Sequence, residues 1–158
     1  MSFEIERKFL IAHDGWRGRS EGTLYRQGFL STDKERVVRV RVAGDKGTLT
    51  IKGKSQGAKR PEYEYEIPVS DAVEMLEKLC QRPLIEKHRY LIEHQGHTWE
   101  VDEFFGENQG LLVAEVELSS EEEAVVLPDW VGQEVTEDFR YANASLVAHP
   151  YCQWSKEV

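Results

Sequence analysis

The pentapeptide Val38-Arg39-Val40-Arg41-Val42 carries the pattern on which the fold of this chain depends. Apolar and cationic residues alternate with a period of two, as side chains do along a β-strand. One face of this strand is therefore wholly aliphatic and the other wholly cationic. A face that carries charges of one sign is unusual, because a solvated strand face ordinarily mixes neutral and charged polar residues.

Six other segments of the chain repeat this separation of charged and apolar faces. Period-two alternation, bounded by Gly, Asp and Asn turns, predicts eight strands in all. The strands lie near residues 2–11, 23–30, 36–43, 47–53, 61–68, 85–94, 97–105 and 111–119. On their charged or polar faces the six other segments carry Glu4, Glu6, Lys8, Thr48, Thr50, Lys52, Glu62, Glu64, Glu66, Lys87, Arg89, Glu100, Asp102, Glu115 and Glu117. Seven segments that follow one rule indicate a single continuous charged surface.

Two arrangements of the strands are compatible with this pattern. In the first, an open sheet packs its apolar face on helices and leaves its charged face in solvent. In the second, the sheet curls into a closed barrel whose charged faces line a hydrated lumen and whose apolar faces contact helices outside; closure also removes exposed sheet edges. The scarcity of neutral residues on the charged faces favours the barrel, so the predicted fold class is mainly β (α+β).

Three short helices are predicted outside the strands. The first begins at Ser70, an N-cap residue followed by Glu74 and by apolar residues at helical spacing. A second candidate opens at Ser119 with the same capping chemistry, and a third spans roughly residues 137–148. We expect these helices to pack on the apolar outside of the barrel.

The charged lumen of such a barrel predicts a ligand. Buried cations are very costly unless they are neutralised, and the lumen would hold Arg39, Arg41, Lys52, Lys87 and Arg89. A chain of phosphates suits them, because Arg gives bidentate contacts to phosphate oxygens and Lys provides a point charge. The carboxylates on the same faces would repel that polyanion. A hard divalent cation such as Mg²⁺ or Mn²⁺ resolves the conflict, because it binds the oxygen atoms of both and neutralises charge on a transferred phosphoryl group.

Length and composition favour one domain that spans residues 1–158. The formal net charge of −9 argues against a general nucleic-acid or membrane binder, because both partners are polyanions. The chain has no stretch of roughly 18 apolar residues that could span a membrane, and its N-terminal pattern is that of a charged strand and not of a secretory signal. Cys80 and Cys152 lack metal-site spacing; a disulfide between them is one alternative, and two reduced thiols in a cytoplasmic protein is the favoured one.

The order of the charged motifs resembles that of the CYTH proteins, also called triphosphate tunnel metalloenzymes. Glu4-Ile5-Glu6-Arg7-Lys8 has the ExExK spacing of that family, on the N-terminal strand. The later elements follow in order as Arg39-Val40-Arg41, Thr50-Ile51-Lys52-Gly53, Glu62-Tyr63-Glu64, Glu86-Lys87-His88-Arg89-Tyr90, Glu100-Val101-Asp102, Glu115-Val116-Glu117 and Glu137-Asp138-Phe139-Arg140-Tyr141. The resemblance covers the chain from residue 2 to about residue 148.

This resemblance implies an eight-stranded antiparallel tunnel and the metal-dependent hydrolysis or cyclisation of a triphosphate. The metal ligands it implies are Glu4, Glu6, Glu115 and Glu117, assisted by Glu62, Glu64 and Asp102. The phosphate-binding residues it implies are Lys8, Arg39, Arg41, Lys52, Lys87, Arg89 and Arg140. Within these sets the candidate catalytic residues are Glu4, Glu6, Lys8 and Lys52. The implied cofactor is Mg²⁺ or Mn²⁺.

One position departs from the family pattern. Small bacterial members often have Gln-Gly-Tyr-Leu after the second strand, and that tyrosine is a candidate proton acceptor. This chain has Gln27-Gly28-Phe29-Leu30, and a phenyl ring has no hydroxyl to move a proton. Either water activation rests on a metal-bound carboxylate and Lys52, or activity is reduced; alternatively, Phe29 simply packs.

The leading hypothesis is an inorganic triphosphatase that splits tripolyphosphate into pyrophosphate and phosphate, with nucleoside triphosphates as further candidate substrates. The small size of the chain favours it, since little room is left for recognition of a base. A class IV adenylate cyclase ranks lower, because we find no His-Phe-rich N-terminal segment like that of the group, and a thiamine triphosphatase is a third enzyme candidate. The departure at Phe29 supports a non-catalytic polyphosphate-binding module. No nucleic-acid or membrane partner is expected, and the sequence does not define an oligomeric state.

Overall fold

The computed structural model of the protein describes residues 2–157, with side chains described as far as Trp154. Nine strands account for most of it: β1 (Phe3–Ile11), β2 (Thr23–Ser31), β3 (Val37–Ala43), β4 (Lys46–Lys52), β5 (Lys59–Ile67), β6 (Ile85–His94), β7 (His97–Phe104), β8 (Leu112–Glu117) and β9 (Val131–Glu134). The first eight match the predicted strands to within about two residues at each end. Two α-helices, α1 (Val69–Lys78) and α2 (Ser145–Ala148), and four short 3₁₀ helices complete the described chain.

The strands form two antiparallel meanders that join into a closed barrel. Strands β2 to β5 are neighbours in chain order, as are β6 to β8, and the two meanders meet where β2 pairs with β6. The N-terminal strand β1 closes the ring, because its first residues pair with β5 and its later residues with β8. The predicted closed, eight-stranded antiparallel barrel is therefore confirmed, and the open sheet is excluded.

The ninth strand was not predicted. It has only the four residues Val131–Glu134, with no period-two alternation to distinguish it from a loop. It pairs with β1 at Phe9 and Ile11, outside the ring. A bidentate ion pair between Arg7 and Glu134, at 2.9 and 3.0 Å, reinforces this contact.

The helices differ more from the predictions than the strands do. Helix α1 begins at Val69, one residue before the predicted cap, and Pro68 at its N-cap position makes no side-chain cap hydrogen bond. The helix predicted at Ser119 is wrong: the Glu123 carboxylate accepts hydrogen bonds from the Ser119 backbone N–H and hydroxyl, and this local turn replaces a helical one. The third candidate is broken into a 3₁₀ turn at Phe139–Tyr141 and the short α2.

Apolar side chains cover the barrel from outside, as the alternation predicts. On one side, Ala72 and Leu76 of α1 pack on Val40 of β3. On the opposite side, a larger cluster from the outer faces of β1, β6, β7 and β8 packs with Trp16 and Trp130 of two connecting segments. Because the hydrophobic core lies outside the ring, the lumen is left to the charged side chains.

The C-terminal segment, defined here as residues 139–154, packs against one end of the barrel. Leu146 and Val147 of α2 join a buried apolar cluster with Phe29, Val37 and Ile85, which belong to three different strands. One end of the lumen is therefore bounded by apolar packing and the remainder by charged groups. Among the described residues, no helix has both the length and the apolar character needed to cross a membrane.

Candidate active site in the barrel lumen

A cavity of about 270 Å³ occupies the lumen. The predicted site residues that line it are Glu4, Glu6, Lys8, Arg39, Arg41, Lys52, Glu62, Glu64, Lys87, Arg89, Glu115 and Glu117. Asp102 and Arg140 do not line it. The period-two rule thus brings together side chains from six strands that are distant in sequence, because alternate residues of every strand in a closed barrel face the same interior.

Carboxylates gather on one side of the lumen in two groups of three. Glu4, Glu62 and Glu117 form one group, and in each group the three carboxylate oxygens lie within 4.8 Å of one another. The second group is Glu6, Glu100 and Glu115. Burial, and then repulsion from Glu115 and Glu4, raise the pKa of Glu6 well above its ordinary value. Burial and the nearby Glu4 raise the pKa of Glu62 to about 7.

This donor set fits a hard divalent cation. Carboxylate oxygens are the ligands that Mg²⁺ and Mn²⁺ prefer, and the clustering of like charges is unfavourable until a cation is added. The residues that could hold one are the two carboxylate groups themselves. Glu100 was missed by the sequence assignment, although it lies on the charged face of its strand two residues before Asp102, which was chosen instead.

Two lysines stand among these carboxylates. The Lys52 ammonium lies 3.2 Å from Glu4 and 3.5 Å from Glu62. The Lys8 ammonium lies 3.5 Å from Glu115 and donates a hydrogen bond to the backbone carbonyl of Tyr141 in the C-terminal segment. Both lysines therefore hold positive charge beside the candidate metal ligands.

On β6, two cations share one buried carboxylate. The Lys87 ammonium lies 2.7 Å from Asp102, and the Arg89 guanidinium contacts both oxygens of the same carboxylate at 2.8 and 2.9 Å. Although burial alone would raise it, Arg89 and Lys87 hold the pKa of Asp102 below its ordinary value. Asp102 thus lies behind the lining, fully buried and engaged by two cations. Asp102 belongs to neither of the two carboxylate groups that could hold a metal ion.

On β3, the two arginines are less completely neutralised. Arg39 donates to the Thr50 hydroxyl at 3.2 Å and reaches Glu64 only at 3.7 Å, while its buried Nε has no partner among the described residues. Arg41 donates from Nε to the side-chain oxygen of Gln27 at 2.7 Å. Burial, and then repulsion from Arg39 and Arg89, lower the pKa of Arg41 to about 9. Both arginines line the cavity; Arg39 has only a long ion pair and Arg41 makes none among the described residues, which is the chemistry of an anion site.

Arg140 lies elsewhere. Its guanidinium pairs with Asp138 at 2.8 Å on the surface and stacks over the rings of Tyr141 and Trp154. The sequence placed it with the phosphate-binding residues, and the structure does not bring it to the lumen. Conversely, Arg60 and Asn143 line the cavity and were not predicted. Arg60 had a signal, since it precedes Glu62 by two residues on one strand; Asn143 had none, because it lies outside every strand.

Phe29 is buried and lines the cavity at its apolar end. Its ring belongs to the cluster that includes Val37 and Leu146. The geometry thus favours the interpretation that Phe29 serves in packing. Its ring brings no proton-transfer group to the site.

Comparisons with known proteins agree with the geometry of the lumen. A sequence profile of the CYTH domain family matches residues 2–151. The chain is 55% identical to an inorganic triphosphatase of Acetivibrio thermocellus, over 96% of this chain and 97% of that protein. It is 39% identical to an inorganic triphosphatase of Nitrosomonas europaea, over 90% of this chain and 95% of that protein. A solved structure of an inorganic triphosphatase superposes with a TM-score of 0.65 at 38% identity, over 90% and 96% of the two chains.

Proposed function

Since the chain belongs to the CYTH domain family, we propose that it hydrolyses inorganic triphosphate to pyrophosphate and phosphate. One observation carries the proposal: a single lumen holds two clusters of carboxylates together with Arg41, which makes no ion pair among the described residues. A phosphate chain bound with a divalent cation would supply an anion to the arginine and a cation to the carboxylates. The names of the two curated relatives point to the same substrate.

In the reaction, a water oxygen forms a bond to a terminal phosphorus and the bond from that phosphorus to the bridging oxygen breaks. Arg39 and Arg41 bind oxygens of the phosphate chain and hold it in line with the attacking water. Lys8 and Lys52 lie beside the carboxylates and bind the oxygens nearest the reacting phosphorus. Pyrophosphate leaves with the bridging oxygen.

The carboxylates have two tasks in this proposal. Glu4 and Glu6, with Glu115 and Glu117, would hold the divalent ion, for which we propose Mg²⁺ or Mn²⁺; when bound, it neutralises charge that develops on the phosphoryl group. A carboxylate of the same clusters also takes the proton of the attacking water, because Phe29 cannot. Glu100 joins this set through its contact with Glu6 and Glu115.

The experiment is a phosphate-release assay on tripolyphosphate with Mg²⁺ and with Mn²⁺. We expect release with at least one metal, none with EDTA, and loss of roughly two orders of magnitude or more in the Glu4→Gln variant. Glu66→Gln is the matched control, since that exposed carboxylate follows the same strand pattern outside the cavity. Absence of release with both metals would contradict the proposal.

Phe29 supports one second candidate, a polyphosphate-binding module without turnover. That module predicts tripolyphosphate binding by calorimetry with no phosphate release. Adenylate cyclase and thiamine triphosphatase activities are separated in the same assay by offering ATP, with chromatography for cyclic AMP, and thiamine triphosphate. ATP hydrolysis without cyclisation would extend the proposed substrate class to nucleoside triphosphates.

We also propose that residues 1–158 act as one domain in the cytoplasm, with a small-molecule triphosphate as the partner. The free thiols of Cys80 and Cys152 support a reducing compartment. Residues 146 and 147 of the C-terminal segment complete the apolar packing at one end of the barrel. This contact supports a barrel and C-terminal segment that fold as one cooperative unit.

A further inference from the structure

Two amide side chains connect the cations of the lumen to the C-terminal segment. Gln27 of β2 is fully buried, and its Oε1 accepts the hydrogen bond from Arg41 Nε at 2.7 Å. Its Nε2 donates to Asn143 Oδ1 at 2.8 Å. The same Asn143 oxygen accepts a hydrogen bond from the Lys87 ammonium at 2.9 Å. A continuous series of hydrogen bonds, called here the amide relay, therefore runs from Arg41 through Gln27 and Asn143 to Lys87.

The chemistry of its ends fixes the direction of every bond in the amide relay. Arginine and lysine can only donate, so each amide must turn its oxygen towards its cation. Gln27 then has only its NH₂ group to offer to Asn143, whose oxygen is the one remaining acceptor. Rotation of either amide by 180° would place two donors against each other. Only one orientation of the two amides satisfies all three hydrogen bonds of the amide relay, and in that orientation both Arg41 and Lys87 are hydrogen-bonded.

The relay also decides which donors remain for a ligand. Lys87 uses one ammonium proton on Asp102 and one on Asn143, which leaves one of three. Arg41 uses Nε on Gln27, which leaves its two terminal nitrogens. Both residues line the cavity, and because they carry like charges they would move apart if nothing held them.

We propose that Gln27 and Asn143 are positioning residues that fix Arg41 and Lys87 at the spacing required by adjacent phosphates of the substrate. The C-terminal segment is accordingly part of the binding site through Asn143. This inference rests on the proposed function for the identity of the ligand. The placement of Arg41 and Lys87 depends only on the hydrogen bonds described above.

The alternative is that Asn143 serves only to anchor the C-terminal segment, and the chain offers a matched control for that. Asn108, which is buried, accepts a hydrogen bond from the backbone N–H of Tyr151 at 2.9 Å. It therefore also anchors the segment, with the same residue type, and it does not line the lumen. Asn108→Ala removes an anchor and leaves the relay in place; Asn143→Ala removes an anchor and the relay together.

The experiment measures tripolyphosphate hydrolysis by Asn143→Ala, Gln27→Met and Asn108→Ala. We expect KM to rise about tenfold or more in the first two, as for the loss of a hydrogen bond to a charged group. We expect kcat to stay within about threefold, because the contact is made to the bound substrate and to the transition state alike. Asn108→Ala should lower Tm and leave KM unchanged. Gln27→Met keeps the test available if Asn143→Ala does not fold.

Equal changes in KM for Asn143→Ala and Asn108→Ala would overturn the proposal, as would an unchanged KM in Gln27→Met. A second measurement separates this inference from the proposed reaction: the rise in Tm that tripolyphosphate produces in each variant. If the wild type binds without turnover, the rise should still be smaller in the two relay variants than in Asn108→Ala. If tripolyphosphate neither shifts the wild-type Tm nor is hydrolysed, both proposals fail.

Discussion

Strands β3 and β6 look alike in sequence and differ in how their cations are compensated. Both carry two cations two residues apart, Arg39 and Arg41 on β3 and Lys87 and Arg89 on β6. On β6 the buried carboxylate of Asp102 pairs with both at 2.7 to 2.9 Å, and Glu100 pairs with Arg89 at 3.0 Å. On β3 the close contacts are to uncharged groups, a threonine hydroxyl and a glutamine amide.

This difference assigns the two strands different tasks. On β6, removal of the shared carboxylate would expose the desolvation penalty of two buried cations. A buried cation with neutral partners stays uncompensated until an anion arrives, so its replacement by an apolar side chain should cost the fold little and weaken binding. Of the four predictions below, ordered from the largest expected effect to the smallest, the first three test this contrast and the fourth tests the assignment of Arg140 to the phosphate site.

Asp102→Ala should lower the free energy of unfolding by about 3–5 kcal/mol, because it leaves Lys87 and Arg89 buried beside an empty volume. Urea denaturation checks this. Glu66→Ala is the control, since its ion pair with Lys46 is exposed and should contribute less than about 1 kcal/mol. A loss below about 1 kcal/mol for Asp102→Ala would mean that β6 is no better compensated than β3.

Arg41→Met should lower kcat/KM for tripolyphosphate roughly a hundredfold and change the free energy of unfolding by less than about 2 kcal/mol, because removal of the buried charge offsets the loss of the donor to Gln27 Oε1. The phosphate assay and denaturation are run on the same preparation. Arg36→Met is the control, because that arginine is exposed and pairs with Asp33 outside the cavity. Destabilisation of Arg41→Met by more than about 2 kcal/mol would remove the contrast between the strands.

Gln27→Glu should give Arg41 of β3 a carboxylate partner within the protein, as the cations of β6 have. A carboxylate would lie about 2.7 Å from Arg41 in place of the amide oxygen, so the arginine would be neutralised within the protein. We expect KM for tripolyphosphate to rise about tenfold and the stability to change little, because the new ion pair with Arg41 is offset where the second carboxylate oxygen faces the Asn143 oxygen. Unchanged KM would show that internal compensation does not compete with the ligand.

Arg140→Gln should change kcat/KM by less than about threefold, because its half-exposed ion pair with Asp138 lies outside the lumen. This is a test of the sequence-based assignment of Arg140 to the phosphate site. A loss comparable with that of Arg41→Met would restore the assignment.

The barrel and most of the lumen were predictable because strand parity is a local property. A residue's side of the ring depends only on its neighbours, so Arg39, Lys52 and Glu115 could be placed without knowledge of the strand order. Which cation meets which carboxylate could not be predicted, since it depends on the register of strands distant in sequence. Arg89 and Asp102 pair because β6 and β7 are aligned at those two positions.

The remaining misses have physical causes too. The strand Val131–Glu134 is too short to show a period of two. The Ser119 backbone N–H donates to the Glu123 carboxylate, and this hydrogen bond closes a turn where a capped helix was predicted. Asn143 lies 116 residues from Gln27 and on no strand, so no local pattern connects the two amides. Long-range polar contacts of this kind are set by the packing of the C-terminal segment on the barrel end.

The position of β1 in the ring has a consequence for the order of folding. Each meander can form from contiguous chain, but β1 finds its partners only at Arg60, at Glu115 and, outside the ring, at Glu134. During synthesis the first strand to emerge is therefore the last to be paired on both sides, and such non-local closure is slow. Because that strand carries Glu4 and Glu6, neither carboxylate cluster can assemble before β8, with Glu115 and Glu117, has been synthesised.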